Sequence, residues 1–262
     1  MASSVATSYE APPGRELDTS VGKALALLDA FRASDRPMGV TELARIAQLP
    51  KSTAYRLLAI LREWGYVDRD GSDYFLGAHL FELGNFVPYC QPRGLREVAL
   101  PHLARLYEAT HETVHLAVLE DTDVLYIEKI SGQSSTALPS RVGDRFPVEG
   151  AALGKAMLAF SDRDAVVKVL TRGLQRMSPY TIVQPDRFVD HLNVIRREGV
   201  AFDREESMIG LACVAAPVLG RDRKAIAAVS LAGPTHRFQP DDHVTRVKEA
   251  ASNIAHELLT AV

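Results

Sequence analysis

The stretch Leu49-Pro50-Lys51-Ser52-Thr53-Ala54-Tyr55-Arg56-Leu57-Leu58 decides how the amino-terminal part of this chain is read. Ala54, Leu57, Leu58 and, one turn on, Leu61 recur at the spacing of a single helix face, whereas Ser52, Thr53, Tyr55 and Arg56 fall off that stripe. Gly65 stops the helix. One face is therefore built for a core and the other is polar.

Working outward, Val21, Ala24, Leu25, Leu28 and Phe31 give an earlier helix from Ser20, with Thr19 or Ser20 available to cap it. Pro37 and Gly39 break it, and a short second helix starts at Thr41 with Leu43, Ala44, Ile46 and Ala47. After the polar-faced helix come two short strands, Tyr66–Arg69 and Ser72–Leu76, around Asp70-Gly71, a dipeptide that favours a tight hairpin. Helix, short helix, turn, polar-faced helix and hairpin is the order of a winged helix-turn-helix, whose second motif helix enters the major groove of double-stranded DNA. Lys51 can neutralise a phosphate, Ser52 and Thr53 can donate, and Tyr55 and Arg56 project from the first turns. Arg56 is the best base reader, because its planar fork matches two guanine acceptors. Thr41 and the wing's Arg69 complete the candidate DNA-contact set. Charges on a helix are more often a solvated face, and it is the order of elements that favours DNA. Asp68, Asp70 and Asp73 beside Arg69 argue against strong wing contacts.

At 262 residues, with 47% hydrophobic and 24% charged, the chain has room for two globular units. Its net charge is −3, from 30 basic and 33 acidic residues, so attraction to nucleic acid must be local. From Gly39 to Arg62 the bases Arg45, Lys51, Arg56 and Arg62 face only Glu42. The apolar run near Met208–Gly220 is too short to span a bilayer and the first residues lack a secretory pattern, so a cytoplasmic protein is expected. Cys90 and Cys213 are too few for a disulfide framework.

Residues 1–17 are rich in Ser, Ala and Pro without a period, and a disordered tail is expected there. Residues 18–76 form the expected DNA-binding domain. A linker helix from Gly77 to Phe86 and a loop through Pro88 and Pro92 occupy residues 77–92. Over residues 93–262 helices alternate with strands at Thr113–Leu119, Val124–Ile130, Val200–Asp203, Leu211–Leu219 and Ala225–Leu231. Helices are expected from Pro185 to Glu198, stopped by Gly199, and from Asp241 to Leu259 after Pro240. The fold class is α+β.

Nearly the whole chain after the tail resembles the isocitrate lyase regulator (IclR) family of bacterial transcription factors. The resemblance is carried by Val40-Thr41-Glu42-Leu43-Ala44, by Leu49 to Leu58, by Gly65-Tyr66-Val67, and by Arg141-Val142-Gly143 with Gly154-Lys155-Ala156-Met157-Leu158-Ala159. It continues in Gly199 to Glu206, Gly210 to Val218 and Ala227 to Pro234. It implies a GAF-like effector domain with an antiparallel sheet, a small organic acid or aromatic metabolite held beside that sheet, and a homodimer or homotetramer acting as a repressor on a pseudo-palindromic operator. It places effector contacts at Ala151, Gly154, Asp203, Leu211, Cys213 and Ser230. Amides at the start of the helix Ala152–Ala159 suit an anionic group. Glu149, Ala151 and Ala232 depart from the family's pattern; an added carboxylate near the pocket mouth and a lost hydroxyl suit a larger or more apolar effector. For Leu211, Cys213 and Ser230 ordinary strand packing is the competing reading.

Three other signals carry less. His111-Glu112-Thr113-Val114-His115 spells a zinc-protease motif, but its second half reads as a strand, on which two histidines four apart do not form the helical pair. Gly150 to Lys155 falls one residue short of a phosphate loop, with Ala156 where a hydroxyl should hold magnesium. Cys213 has apolar neighbours, which raise a thiol's pKa and disfavour a nucleophile. No cofactor or metal is expected, and an enzyme or redox sensor on the GAF-like domain is the alternative to a regulator.

Overall fold

The computed structural model describes residues 18–91, 93–132, 138 and 140–260. The tail expected over residues 1–17 lies outside them, as does Pro92 of the expected linker. Among the described residues no helix is long and apolar enough to cross a membrane. The chain divides into two compact units between Cys90 and Gln91.

In the first unit, α1 (Ser20–Ala30) begins where Thr19 accepts a hydrogen bond from the Gly22 amide at 2.9 Å. Strand β1 (Met38–Gly39), α2 (Val40–Ile46) and α3 (Lys51–Glu63) follow. Gly65, at φ +73°, turns the chain into β2 (Val67–Asp70) and β3 (Asp73–Leu76). The first helix ends at Ala30, with a 3-10 turn over Phe31–Ala33, before Pro37 is reached. Strand β1 was not anticipated: Met38, between Pro37 and Gly39, is fully buried and pairs with Tyr74, so the wing is a three-stranded sheet ordered β1-β3-β2. Leu27, Leu43, Ala54, Leu58, Val67 and Tyr74 form one core, which fixes α3 by its apolar stripe. The short α4 (Ala78–Gly84) has no buried residue.

The second unit begins with α5 (Leu95–Thr110), capped by His111 in the left-handed conformation, then β4 (Thr113–Glu120), β5 (Asp123–Ile130) and β6 (Arg145–Pro147). After α6 (Ala152–Ala159), α7 (Arg163–Arg172) and α8 (Pro185–Glu198) come β7 (Ala201–Arg204), β8 (Leu211–Leu219), β9 (Ala225–Pro234) and α9 (Val244–Thr260). Every neighbouring pair in the sheet, ordered β6-β5-β4-β9-β8-β7, is antiparallel. Helices α5 and α9 pack together, against β4 and β8 respectively; α6 lies on β8 and β9 and carries α8. With both faces covered, β8 and β9 are buried along most of their length, which is why they read as unbroken apolar runs.

Candidate DNA-contact face and effector site

On α3, Ala54, Leu57 and Leu58 are buried while Lys51, Ser52, Tyr55 and Arg56 are exposed and Thr53 is half-buried. Lys51, Tyr55 and Arg56 form no hydrogen bond or ion pair with another described residue, so their polar groups are available to a ligand. The one acid in this segment, Glu42, is bound by Arg36 through two hydrogen bonds of 2.8 and 3.0 Å, which leaves the surface around α3 more positive than its composition alone. Thr41 is exposed at the start of α2. Arg69 stacks its guanidinium 5.4 Å from the centre of the Tyr74 ring, a contact that holds it on the wing.

In the second unit the strand register brings part of the expected effector set together. Asp203 pairs with Cys213 and Cys213 with Ala232; one row over, Ala215 pairs with Ser230. Residues paired across strands, or two apart on one strand, share a face. Asp203, Leu211, Cys213 and Ser230 therefore stand on one side of the sheet, the side over which α6 packs. Burial pushes the Cys213 thiol well above its ordinary range, with the Asp203 charge acting in the same direction. Burial also raises Asp203 to about 6, opposed by its hydrogen bond to Ser207 and by Lys155. Its carboxylate accepts from the Glu206 amide at 2.7 Å, the Ser207 amide at 3.2 Å and the Ser207 hydroxyl. Asp203 thus anchors the loop after β7.

Ala151 precedes α6 and leaves its first amides without a side-chain cap. Gly154 has a packing reason to be glycine: a Cβ there would lie 2.5 Å from the Val148 Cα and carbonyl oxygen. The added carboxylate of Glu149 does not stand free at a pocket mouth. It is fully buried and accepts from Arg172 Nη2 at 2.5 Å and the Gln175 amide at 2.6 Å, so its charge is matched within the fold. An open surface depression of about 730 Å³ lies against α8, lined by Arg176, Tyr180, Arg187 and His191 among others; none of the six effector candidates lines it.

The roles of several polar side chains were not read from the sequence. Lys155, fully buried on α6, donates to Glu206 at 2.5 Å, and Thr181 donates to the Glu206 carbonyl at 2.7 Å. His115 on β4 is paired with Ser230 across the sheet, lies 2.8 Å from Ser140 Oγ through Nε2, and packs its ring 5.2 Å from that of Tyr126. Burial holds His115 near pKa 3, so it is neutral at physiological pH. Lys129 donates to the carbonyls of Leu138 and Ser140. The zinc-protease spelling dissolves in the fold: His111 ends α5, His115 lies within β4, and Glu112 is held by Arg237 at 2.5 and 3.0 Å. Among the described residues no group of three or more histidine, cysteine, aspartate or glutamate side chains could hold a metal ion.

The comparisons with known proteins agree with this architecture. Residues 20–71 match the IclR helix-turn-helix domain and residues 87–258 match the domain described as bacterial transcriptional regulator IclR C-terminal. The chain is 34% identical over 246 residues to the HTH-type transcriptional regulator KdgR of Dickeya chrysanthemi, covering 92% of this chain and 80% of that protein. It is 33% identical over 247 residues to the transcriptional repressor IclR of Escherichia coli K12, covering 92% and 89%. The crystal structure of an IclR homologue from Microbacterium hydrocarbonoxydans, complexed with 4-hydroxybenzoate, superposes with a TM-score of 0.84 at 27% identity, over 92% of this chain and all of that one. The chain therefore belongs to the IclR family of transcriptional regulators, DNA-binding proteins with a carboxy-terminal effector-binding domain and not enzymes.

Proposed function

We propose that this chain is a cytoplasmic repressor whose grip on a pseudo-palindromic operator is set by a small organic acid. In this reading residues 18–76 bind DNA, residues 77–92 link, and residues 93–262 form a GAF-like sensor. The observation that carries the first part is the outer face of α3, where Lys51, Tyr55 and Arg56 are exposed and have no partner among the described residues, above a helix fixed by its buried stripe. Arg56 reads a base, while Lys51, Ser52, Thr53, Thr41 and Arg69 hold phosphates and the register. A homodimer, alone or paired into a tetramer, supplies by symmetry the affinity that a net charge of −3 does not. Phe81 and Phe86, at 76% and 75% exposure in and after α4, are apolar surface that a second copy would cover.

The effector lies between the start of α6 and the sheet face of Asp203, Leu211, Cys213 and Ser230. Its carboxylate meets the uncapped amides after Ala151, near Gly154. Its body lies over Ala215 and Ala232, the small residues paired with Ser230 and Cys213 on that face. The 4-hydroxybenzoate in the Microbacterium homologue supports an aromatic or other apolar-bodied acid. Such a ligand shifts DNA binding only by its different affinity for the DNA-competent and released states.

Sequencing the genomic fragments retained by the immobilised full chain tests this reading. A two-fold symmetric consensus, eluted by one member of an organic-acid panel, is the expected result. Retention without sequence preference would overturn it.

A further inference from the structure

The face that holds the expected effector residues continues onto β4 and β5, and there it carries two hydroxyls with no hydrogen-bond partner among the described residues. Ser230 pairs with His115 across β9 and β4, and Ala117, two residues on from His115, pairs with Tyr126 on β5. The His115 ring lies 5.2 Å from that of Tyr126, so Ser230, His115 and Tyr126 form a polar strip beside Cys213 and Asp203. Tyr126 is close enough to Cys213 and Asp203 for their charges, after burial, to help hold its phenol un-ionised. Neither the Tyr126 phenol nor the Ser230 hydroxyl has a hydrogen-bond partner among the described residues. Neither hydroxyl is sealed in the interior, so both are open to a ligand that displaces water from them.

The three side chains of the strip are themselves uncharged, with Lys129 paired to His115 at its edge. His115 is neutral and meets Ser140, and the Lys129 ammonium is directed to two backbone carbonyls. Among the described residues a second carboxylate on the ligand would meet no cation there without hydrogen-bond partners of its own, and it would lie near Asp203. A hydroxyl would find both a donor and an acceptor.

Resting on the effector reading above, we propose that Tyr126 and Ser230, on either side of His115, read an uncharged hydroxyl on the effector. The chain thereby selects hydroxylated monocarboxylic acids over their unhydroxylated and dicarboxylic counterparts. A site built to bond a hydroxyl rejects the analogue that lacks it, because its own polar groups are then left unpaired.

The test is calorimetric titration of the full chain with two matched pairs, 4-hydroxybenzoate against benzoate and 3-hydroxybutyrate against butyrate, with terephthalate as the dicarboxylate. The proposal expects the hydroxylated member of at least one pair to bind about ten-fold or more tightly than its partner, and terephthalate more weakly than either aromatic monoacid. Tyr126→Phe should remove most of that preference by weakening the hydroxylated acid while the unhydroxylated one binds at least as well as before, which also shows that the variant is folded. Equal binding of both members of every pair, or an equal loss for both in Tyr126→Phe, overturns the hydroxyl reading and leaves the effector site standing. Binding of none of the five acids overturns the effector reading together with the inference.

Discussion

Lys155 Nζ lies 2.5 Å from Glu206 Oε2, and the two side chains are 0% and 9% exposed. The pair joins α6 to the loop after β7, the same loop that Asp203 anchors through the Glu206 and Ser207 amides. A buried ion pair adds little over an apolar replacement, but removing one partner strands a charge in the interior. Lys155→Met should therefore destabilise the second unit by about 3–5 kcal/mol, and the double variant with Glu206→Leu should recover most of it. Urea denaturation of the three proteins measures both. A loss below about 1 kcal/mol in the single variant would show that the pair is not closed in solution.

The acid limb of stability follows from His115, His191 and Asp203. Burial lowers His115 to about 3 and His191 to about 4, so each is neutral in the fold while the unfolded chain takes up a proton near 6.5. The unfolded state then binds more protons, and stability falls as pH drops below 6.5. His115 alone contributes about 1.4 kcal/mol per pH unit. Asp203, raised to about 6, acts the other way: the folded state takes up its proton first, so its contribution grows as pH falls through 6 towards 3.8. Replacing Asp203 by Asn removes that opposing gain. Its stability should fall more steeply than that of the parent between pH 6 and 4, which denaturation at a series of pH values reads directly.

Gly154 separates packing from ligand contact. The Cβ of Gly154→Ala would sit 2.5 Å from Val148 backbone and 2.8 Å from the Val124 side chain, both in the core under α6. Overpacking of that kind costs about 1–3 kcal/mol. Thermal unfolding without any effector should show the loss. An unchanged melting temperature would return Gly154 to a ligand-only role.

At the DNA face, Arg56→Ala and Lys51→Ala should behave differently. Arg56→Ala should lose about 1–3 kcal/mol of specific affinity and relax one base position. Lys51→Ala should weaken binding to all sequences alike and reduce the salt slope by about one. Binding-site selection with each variant distinguishes them, and an unchanged base preference for Arg56→Ala would remove it from base reading.

The elements that carry function were legible where a period was long enough. The stripe Ala54, Leu57, Leu58 and Leu61 placed α3, and the apolar run at Leu211–Leu219 placed β8 to the residue. Strand β1, only Met38 and Gly39, and β6, Arg145–Pro147, are too short to show alternation. Helix α7 passed unread although Ala165, Val166, Val169 and Leu170 have helical spacing, a signal that could have found it. The sites divide the same way. Lys51 and Arg56 follow from one helix. Lys155 with Glu206, and Tyr126 with His115 and Ser230, are joined only by tertiary packing and strand register, which no local pattern encodes. Glu149 was read as a carboxylate near a mouth because its partner Arg172, twenty-three residues on, belongs to the unread helix.

The most direct test of the central claim is a fluorescence-anisotropy titration of the full chain against the intergenic DNA upstream of its own gene, at two salt concentrations and with non-specific competitor. The expected result is saturable binding that survives competitor, weakens with salt and is lost on addition of one hydroxylated organic acid. Binding no tighter than to random DNA would contradict the account.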